Sequence, residues 1–521
     1  ADAGAEEASE GVGAAPGGSS GGRHGSHGHG HRRRGRAGPA AHSHPVGGTG
    51  GKSRSDTLQW NQWMSDFAEE ENLAIDPDAL PDPPPAPPAP NRAPNEDTRE
   101  MARKMERGRA DGGKMDIYAS VEACPDHMLD APGHDCDLVH DGHLYARARG
   151  GPYVSMMPKV REGAHSPALV QLNDADHTIL LIWETGLEAP KDAGAGAVIA
   201  ASRLKKEHNN WSSPKVISRG IGRAQRGPVA WFDGAAVHIL HHTQKFGADG
   251  KPTEPRNIVQ LNTTDGHAWS QPAVHQSFPR THSPFVRGPA LSGSGDKHWV
   301  LPLHYEPPGS TPDAHYCALR RSRDGGETWE HETQITFPGQ WLTQPVLVRL
   351  PGSGNLRAYF RDMHGKWLYY KDSKDEGNSW HRHPERARLP NNQGSSAVLM
   401  LQSGHLAIAF NNAQCIGSGH LMRCTSQPLS VAVSEDGGDA WYVRDIERGG
   451  RHDTVPPKVA PPRHHKYSTP AMIQAEDGNI HIAYSYRGKV IKHVVINEDW
   501  VKGNPASVGV YKTNATAASV L

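Results

Sequence analysis

Two kinds of residue cluster in this chain have types and spacing that could do chemistry. Near the start, "HGSHGHGH" sets imidazoles at His24, His27, His29 and His31. Neutral imidazoles are good ligands for divalent transition metals, so the tract could hold one, or it is no more than a low-complexity run. The second kind is cysteine. Cys124 and Cys136 bracket "PDHMLDAPGHD", Cys415 and Cys424 bracket "IGSGHLMR", and Cys317 is left over. Short loops containing Gly or Pro are the sort that disulfides staple, so we expect both close pairs to be bridged and Cys317 to be free.

Bridged cysteines belong to an oxidising compartment, and Asn-x-Ser/Thr sequons at Asn210, Asn262 and Asn514 point the same way. The first residue is Ala1 and no charged-then-apolar signal follows it, so we expect a leader to have been removed or the chain trimmed, and the protein to be secreted or extracytoplasmic. A net charge of -1 with mixed signs offers no basic footprint for nucleic acid. No window approaches the ~18 consecutive apolar residues of a membrane helix. The nearest, "TILLIWETG" at Thr178 to Gly186, already contains a carboxylate.

The elements that must position any chemistry lie in the second part of the chain. Residues 1–55 are Gly, Ala, Ser, His and Arg with almost no large apolar side chain, too little to offset the entropy of ordering them, and we expect them to be disordered. Residues 56–114 should form a short amphipathic helix, with Trp60, Trp63 and Phe67 following the cap candidate Asp56, and then a polyproline spacer at Pro81 to Pro94. The folded body should run over residues 115–521. There Trp211, Trp269, Trp329, Trp380, Trp441 and Trp500 are separated by 58, 60, 51, 61 and 59 residues. Between them lie short apolar or alternating runs such as "LRAYF", "GHLAIAF", "LSVAVS" and "NIHIAYSY", without sustained helical periodicity. A period of 50–60 residues built of four strands reads as one blade, and six blades stacked radially bury each other's faces around a funnel. The fold class is therefore all-β, a six-bladed β-propeller.

Three of the periods carry Ser-x-Asp-x-Gly-x-x-Trp: "SRDGGETW" (322–329), "SKDEGNSW" (373–380) and "SEDGGDAW" (434–441). The Ser and Asp can bond amides of a tight turn, the Gly can supply a positive φ, and the Trp can plug the gap beneath. "NTTDGHAW", ending at Trp269, is such a box without its Ser. The pattern resembles the Asp box of the sialidase (neuraminidase) or BNR-repeat superfamily, in which the boxes lie on turns away from the active site. The resemblance runs from about Pro152 to Val501 and is closest to the predicted-neuraminidase branch. It is carried by "AHSPALVQL", "LIWETGLEAP", "QPVLVRL" with "LRAYFRD", "LPNNQGSSAVLMLQSGHLAIAFNN" and "KYSTPAMIQAEDGNIHIAYSYRGKVIKHVVI".

The resemblance implies an exo-acting glycoside hydrolase on an acidic, carboxylate-bearing sugar, with no cofactor and no metal in the site. Sialidases use a Tyr nucleophile, a Glu that activates it, an Asp acid/base and three Arg residues clamping the substrate carboxylate. Tyr467 in "KYSTP" stands at the nucleophile position, with Tyr484 and Tyr486 as competitors; Arg361 and Arg423 stand at the second and third Arg positions. Two positions depart from the family: Gln344 stands where the Glu should be and His165 where the first Arg should be. A Gln cannot take a proton, and an imidazole offers one donor where a guanidinium fork offers two. For the acid/base, Glu184, Glu188 and Asp192 compete and Glu188 is preferred. Glu306, ending "LPLHYE", is either a second rim carboxylate, activating Tyr467 or pairing with Glu188, or a solvated strand end. A hydrolase of this kind requires His165, Arg361, Arg423 and Tyr467 to converge on one pocket. The other readings are a non-catalytic secreted propeller that binds acidic glycans or a matrix partner, and a lyase in which Tyr467 and His165 act as acid and base.

Overall fold

The strands Ile179–Thr185, Val237–Gln244, Leu406–Asn411, Ile480–Tyr486 and Val490–Ile496 are buried along all or nearly all of their length. A strand buried on both faces needs a layer on each side, and here the layers are neighbouring sheets. The computed structural model describes residues 139–146, 152–186, 196–205, 208–220, 222–247, 252–278, 282–293, 297–307, 314–417, 421–448, 467–503 and 509–510. The leader, the spacer, the Cys124–Cys136 pair, Glu188 and Asp192 lie outside these residues.

Six antiparallel sheets follow one another along the chain. We number them as blades 1 (164–218), 2 (224–274), 3 (284–335), 4 (342–390), 5 (397–447) and 6 (467–496). Each blade's first strand is innermost. Six separate hydrophobic clusters hold them together, and each draws its residues from two adjacent blades. Trp183 and Ile491 share the cluster between blades 1 and 6, for example, and Tyr359 and Phe410 the one between blades 4 and 5. One cluster per interface, with the last joining blade 6 back to blade 1, is a closed six-bladed propeller. Blade 6 is completed from the other end of the chain: Tyr153–Met156 pairs with Val490–Ile496, so the ring is closed by strand hydrogen bonds. Gly509–Val510 adds a fifth strand to blade 5. Among the described residues no helix is long and apolar enough to cross a membrane.

The Asp boxes occupy turns between third and fourth strands. In blade 3, Ser322 Oγ accepts from the Gly326 amide at 2.8 Å and Asp324 Oδ1 from the Thr328 amide at 2.9 Å, and Gly326 has φ 97°. Blades 4 and 5 repeat the arrangement at Ser373/Asp375 and Ser434/Asp436. The blade 2 turn supplies its own hydroxyl one residue later: Thr263 Oγ1 accepts from Gly266 at 2.8 Å, giving a box one residue shorter. In blade 6 a one-turn helix, Glu498–Lys502 capped by Asn497, replaces the box and carries Trp500. Cys415 and Cys424 are bridged, and Cys317 is free and buried between blades 3 and 4.

A second repeat lies on the innermost strands. Ser166, Gly227, Ser283, Gln344 and Thr469 all have φ between 48° and 59°, and each is followed by a proline. In blades 1, 2, 4 and 6 the strand register slips by one residue at that point, a β-bulge. The bulge takes an amide out of its own sheet, and the neighbouring blade bonds it. Ser166 N–H donates to Thr469 Oγ1 at 3.1 Å, and Gly227 N–H donates to the Glu184 carboxylate. A Cβ on Gly227 would meet φ 59° and lie 2.9 Å from His242 Nδ1. Gly227→Ala should therefore cost roughly 1–3 kcal/mol in denaturant unfolding, from αL strain and the displaced imidazole; an unchanged midpoint would contradict this role for the bulge.

Candidate functional site

The bulges set which side chains face each other at one end of the blades. His165 pairs with Glu184 in blade 1, Arg226 with His242 in blade 2, Phe285 with His304 in blade 3 and Thr343 with Arg361 in blade 4. Blade 6 offers only Ser468 opposite Ser485. Among the described residues these pairs place one titratable cluster on blades 1 to 4; a second, in which Glu447 accepts from Tyr484 Oη and Lys492 Nζ, is buried between blades 5 and 6.

Glu184 is buried. It accepts from the Gly227 amide, and its Oε1 lies 3.6 Å from His165 Nδ1. The other ring nitrogen of His165 is 2.9 Å from Ser468 Oγ, which links blades 1 and 6. Next to Glu184 is Arg287, which follows the inner strand Pro284–Val286. Burial pushes the Arg287 guanidinium down to about 10, with the Glu184 charge opposing the shift. Arg361 also falls to about 10, through burial and then repulsion from Arg287, with Glu306 opposing. Burial would raise the Glu306 carboxyl, but Arg256 and His304 outweigh it and hold the group at about 2. Arg256 Nη2 donates to Glu306 Oε2 at 2.5 Å, tying blade 2 to blade 3. His242 Nε2 accepts from the Val286 amide at 2.8 Å, so its proton sits on Nδ1. Burial, then Arg256, holds His242 well below its ordinary range, and burial takes His304 to about 4.

Near neutral pH this cluster sets three guanidinium groups, Arg256, Arg287 and Arg361, against two carboxylates, Glu184 and Glu306, with His242 and His304 neutral. Among the described residues of the cluster the guanidinium groups thus exceed the carboxylates by one. Arg256 Nη1 and Arg361 Nε are buried and have no hydrogen-bond partner among the described residues. Unpaired donors beside uncompensated charge are costly in the empty protein, and an incoming anion relieves both.

Of the residues singled out in the sequence, Arg361 and Glu306 belong to this cluster, and His165 joins it through Glu184. Gln344 holds the bulge of blade 4, its Oε1 accepting from Ser395 Oγ at 2.7 Å. Tyr467 is buried in the cluster between blades 5 and 6, with its ring centroid 5.5 Å from Tyr486 and 6.4 Å from Tyr484. Its neighbour Ser468 faces blade 1, and successive side chains on a strand point to opposite faces. Arg423 is exposed on the stapled loop, where its backbone pairs with Ile416. Arg256, Arg287, His242 and His304 were not anticipated from the sequence. The repeated triplets His-Ser-Pro (165–167, 282–284) and Arg-Gly-Pro (226–228) are the signal that would have pointed to their blades.

A closed six-bladed propeller with Asp boxes on its outer turns and a basic cluster beside its inner strands defines a protein of the sialidase-fold class. Residues 177–482, more than half of the chain, match the BNR repeat-like domain family, and the chain belongs to that family. Among solved structures it is similar to the Hadza microbial sialidase Hz136, with 13% identity and a TM-score of 0.51 over 65% of this chain and 66% of that one. It is also similar to the NanB sialidase from Streptococcus pneumoniae, with 12% identity and a TM-score of 0.49 over 65% and 69%. A third is the Trypanosoma rangeli sialidase in complex with the inhibitor DANA, with 12% identity and a TM-score of 0.48 over 70% and 59%. The chain thus spans about two thirds of the first structure and 59% of the third. At 13% identity the first likeness concerns the fold. No curated protein matches the sequence.

Buried neutral histidines make an acid-sensitive fold. Burial takes His241 and His481 to about 4 and holds His242 and His493 well below 6.5. With folded values below unfolded ones, the unfolded chain binds more protons across this window, so stability falls as pH drops through the unfolded histidine value near ~6.5 towards ~4. The denaturant midpoint should decline over that range, before the carboxylates titrate; a midpoint flat between about pH 7 and 5 would contradict it.

Proposed function

We propose that the chain is a sialidase-like exo-glycoside hydrolase acting on a carboxylate-bearing sugar, with Arg256, Arg287 and Arg361 holding the carboxylate. The observation that carries this reading is the excess of guanidinium over carboxylate, among the described residues, in a buried cluster beside the inner strands that also leaves two of their N–H donors unpaired. Arg–carboxylate pairs are charge-assisted, and in a water-poor recess they fix a ring in one orientation. Glu306, kept ionised, suits a base or nucleophile and not an acid. In this reading Glu188, beyond the second strand of blade 1, supplies the acid, and His165 orders the opposite side of the site with Glu184. Tyr467 acts as nucleophile only if its hydroxyl reaches the sugar, and Arg423 contributes only if its loop folds over the recess. An acidic glycan is the partner this chemistry recognises, and the Cys415–Cys424 disulfide fits a secreted protein. The core position of Tyr467 and the engagement of Gln344 by Ser395 favour a second reading, a propeller that binds acidic glycans without turnover.

Screening the purified chain against aryl glycosides of sialic and uronic acids and their neutral counterparts tests both readings. Turnover should be confined to the acidic sugars. Arg361→Ala should lower kcat/KM by roughly 10- to 100-fold with an unchanged circular dichroism spectrum, the loss expected for one charged hydrogen bond. Turnover of neutral glycosides, or full activity in Arg361→Ala, would overturn the proposal; binding of acidic sugars without turnover would select the second reading. Tyr467→Phe should abolish turnover and spare binding if the phenol attacks, and full activity in that variant would hand the role to Glu306.

A further inference from the structure

We propose that His304, Glu306 and His315 of blade 3 form a binding site for a divalent cation of the zinc class. This departs from the metal-free site expected from the sequence; it is argued from observations other than those behind the hydrolase reading, but it shares Glu306 with that reading, and a bound ion would take Glu306 out of the base or nucleophile role. His304 lies on the strand Trp299–Tyr305, Glu306 follows that strand, and His315 precedes the strand Tyr316–Ser322. The pairing of Tyr305 with Tyr316 sets Glu306 across from His315, with His304 one residue further in. One ligand atom from each of the three residues lies within 4.8 Å of the others. Ligands around a tetrahedral ion bonded at about 2.0–2.1 Å are roughly 3.4 Å apart, so small side-chain rotations bring these three into range.

A second observation points to a ligand. His304 is 2% exposed, and among the described residues neither of its ring nitrogens has a hydrogen-bond partner. A buried imidazole normally finds a donor or an acceptor, and a metal ion satisfies one nitrogen outright. Glu306 is prepared for the same role: Arg256 holds its Oε2, while its Oε1 lies 3.6 Å from His304 Nδ1. An outer partner that fixes a ligating carboxylate in this way is a regular feature of metal sites. Two imidazoles and one carboxylate make a three-ligand set with an open fourth position. Calcium and magnesium prefer all-oxygen surroundings, so the two nitrogen donors select against them. Arg256 and Arg361 oppose a further positive charge, which restricts the site to ions that bind imidazole strongly.

The full-length chain contains other imidazoles, and the test must separate them. In a background carrying His24→Ala, His27→Ala, His29→Ala and His31→Ala, the protein is stripped with a chelator, dialysed against Zn2+ and assayed for bound zinc and for zinc-dependent change in Tm. The background protein should retain one zinc per chain and gain Tm. His315→Ala should lose that zinc and the Tm response, and Glu306→Gln should weaken zinc binding at least about tenfold. Co2+ in place of zinc should give the intense visible bands of a four-coordinate ion, absent in His315→Ala. If His315→Ala does not fold, His315→Gln carries the comparison. A background protein that retains no zinc, or equal zinc and equal Tm response in the background and the His315 variant, would overturn the proposal.

Discussion

The arrangement of the recess depends on hydrogen bonds made between blades by amides that bulges have released from their own sheets. A bulge with an αL residue followed by proline turns one N–H away from the strand ladder, and burial requires that N–H to find another acceptor. Glu184 fills that need for Gly227, and Thr469 for Ser166. His242 also bonds across a blade boundary, accepting from the Val286 amide of blade 3, which stays in register with its own sheet. The same contacts that lock blade to blade therefore fix a carboxylate and an imidazole beside the inner strands. Their orientation is set by the fold itself, before any ligand arrives.

Electrostatics build on that frame. Glu184, fixed by the bulge of the next blade, acts on Arg287 as a counter-charge, and Glu306, fixed by Arg256, acts on Arg361. Each carboxylate is thus shared, and among the described residues of the cluster the guanidinium groups outnumber them. Burial disfavours charge on Arg287 and Arg361. Recesses that hold uncompensated charge in a low-dielectric setting bind a counter-ion strongly, because the cost of desolvating the protein groups has been met during folding. The hydrophobic clusters between blades supply the stability against which that cost is set.

The fold was legible in the sequence because its signals are local. A tryptophan recurring every 51 to 61 residues and three Asp boxes in phase each report a single turn, and the structure puts the three boxes at the same place in blades 3, 4 and 5. Closure by Tyr153–Met156 was not legible, because it joins segments more than 330 residues apart. The recess was legible in part. Arg361 was found through the family's second Arg position and Glu306 through its place at a strand end, but Arg256 and Arg287 sit on connecting segments, where no periodicity marks them. Glu184 was weighed and passed over for Glu188, since its value comes from the Gly227 amide of another blade. Tyr467 was read from the family's nucleophile position, a role that its burial alone does not decide. It stands beside a residue that does face blade 1, and the two-residue period of a strand turns it into the core. The x-Pro triplets were in plain view, and what they lacked as a signal was a reason for αL geometry before proline.

The central claim is that the recess recognises a carboxylate by charge. Titration calorimetry of the intact protein with an acidic monosaccharide and with the methyl ester of the same sugar tests it most directly, because the two ligands share shape and hydroxyl groups and differ in one charge. Recognition by charge predicts measurable binding of the acid and binding of the ester weaker by at least roughly 100-fold, the lower bound for losing two charge-assisted hydrogen bonds. Equal affinities for acid and ester would contradict it.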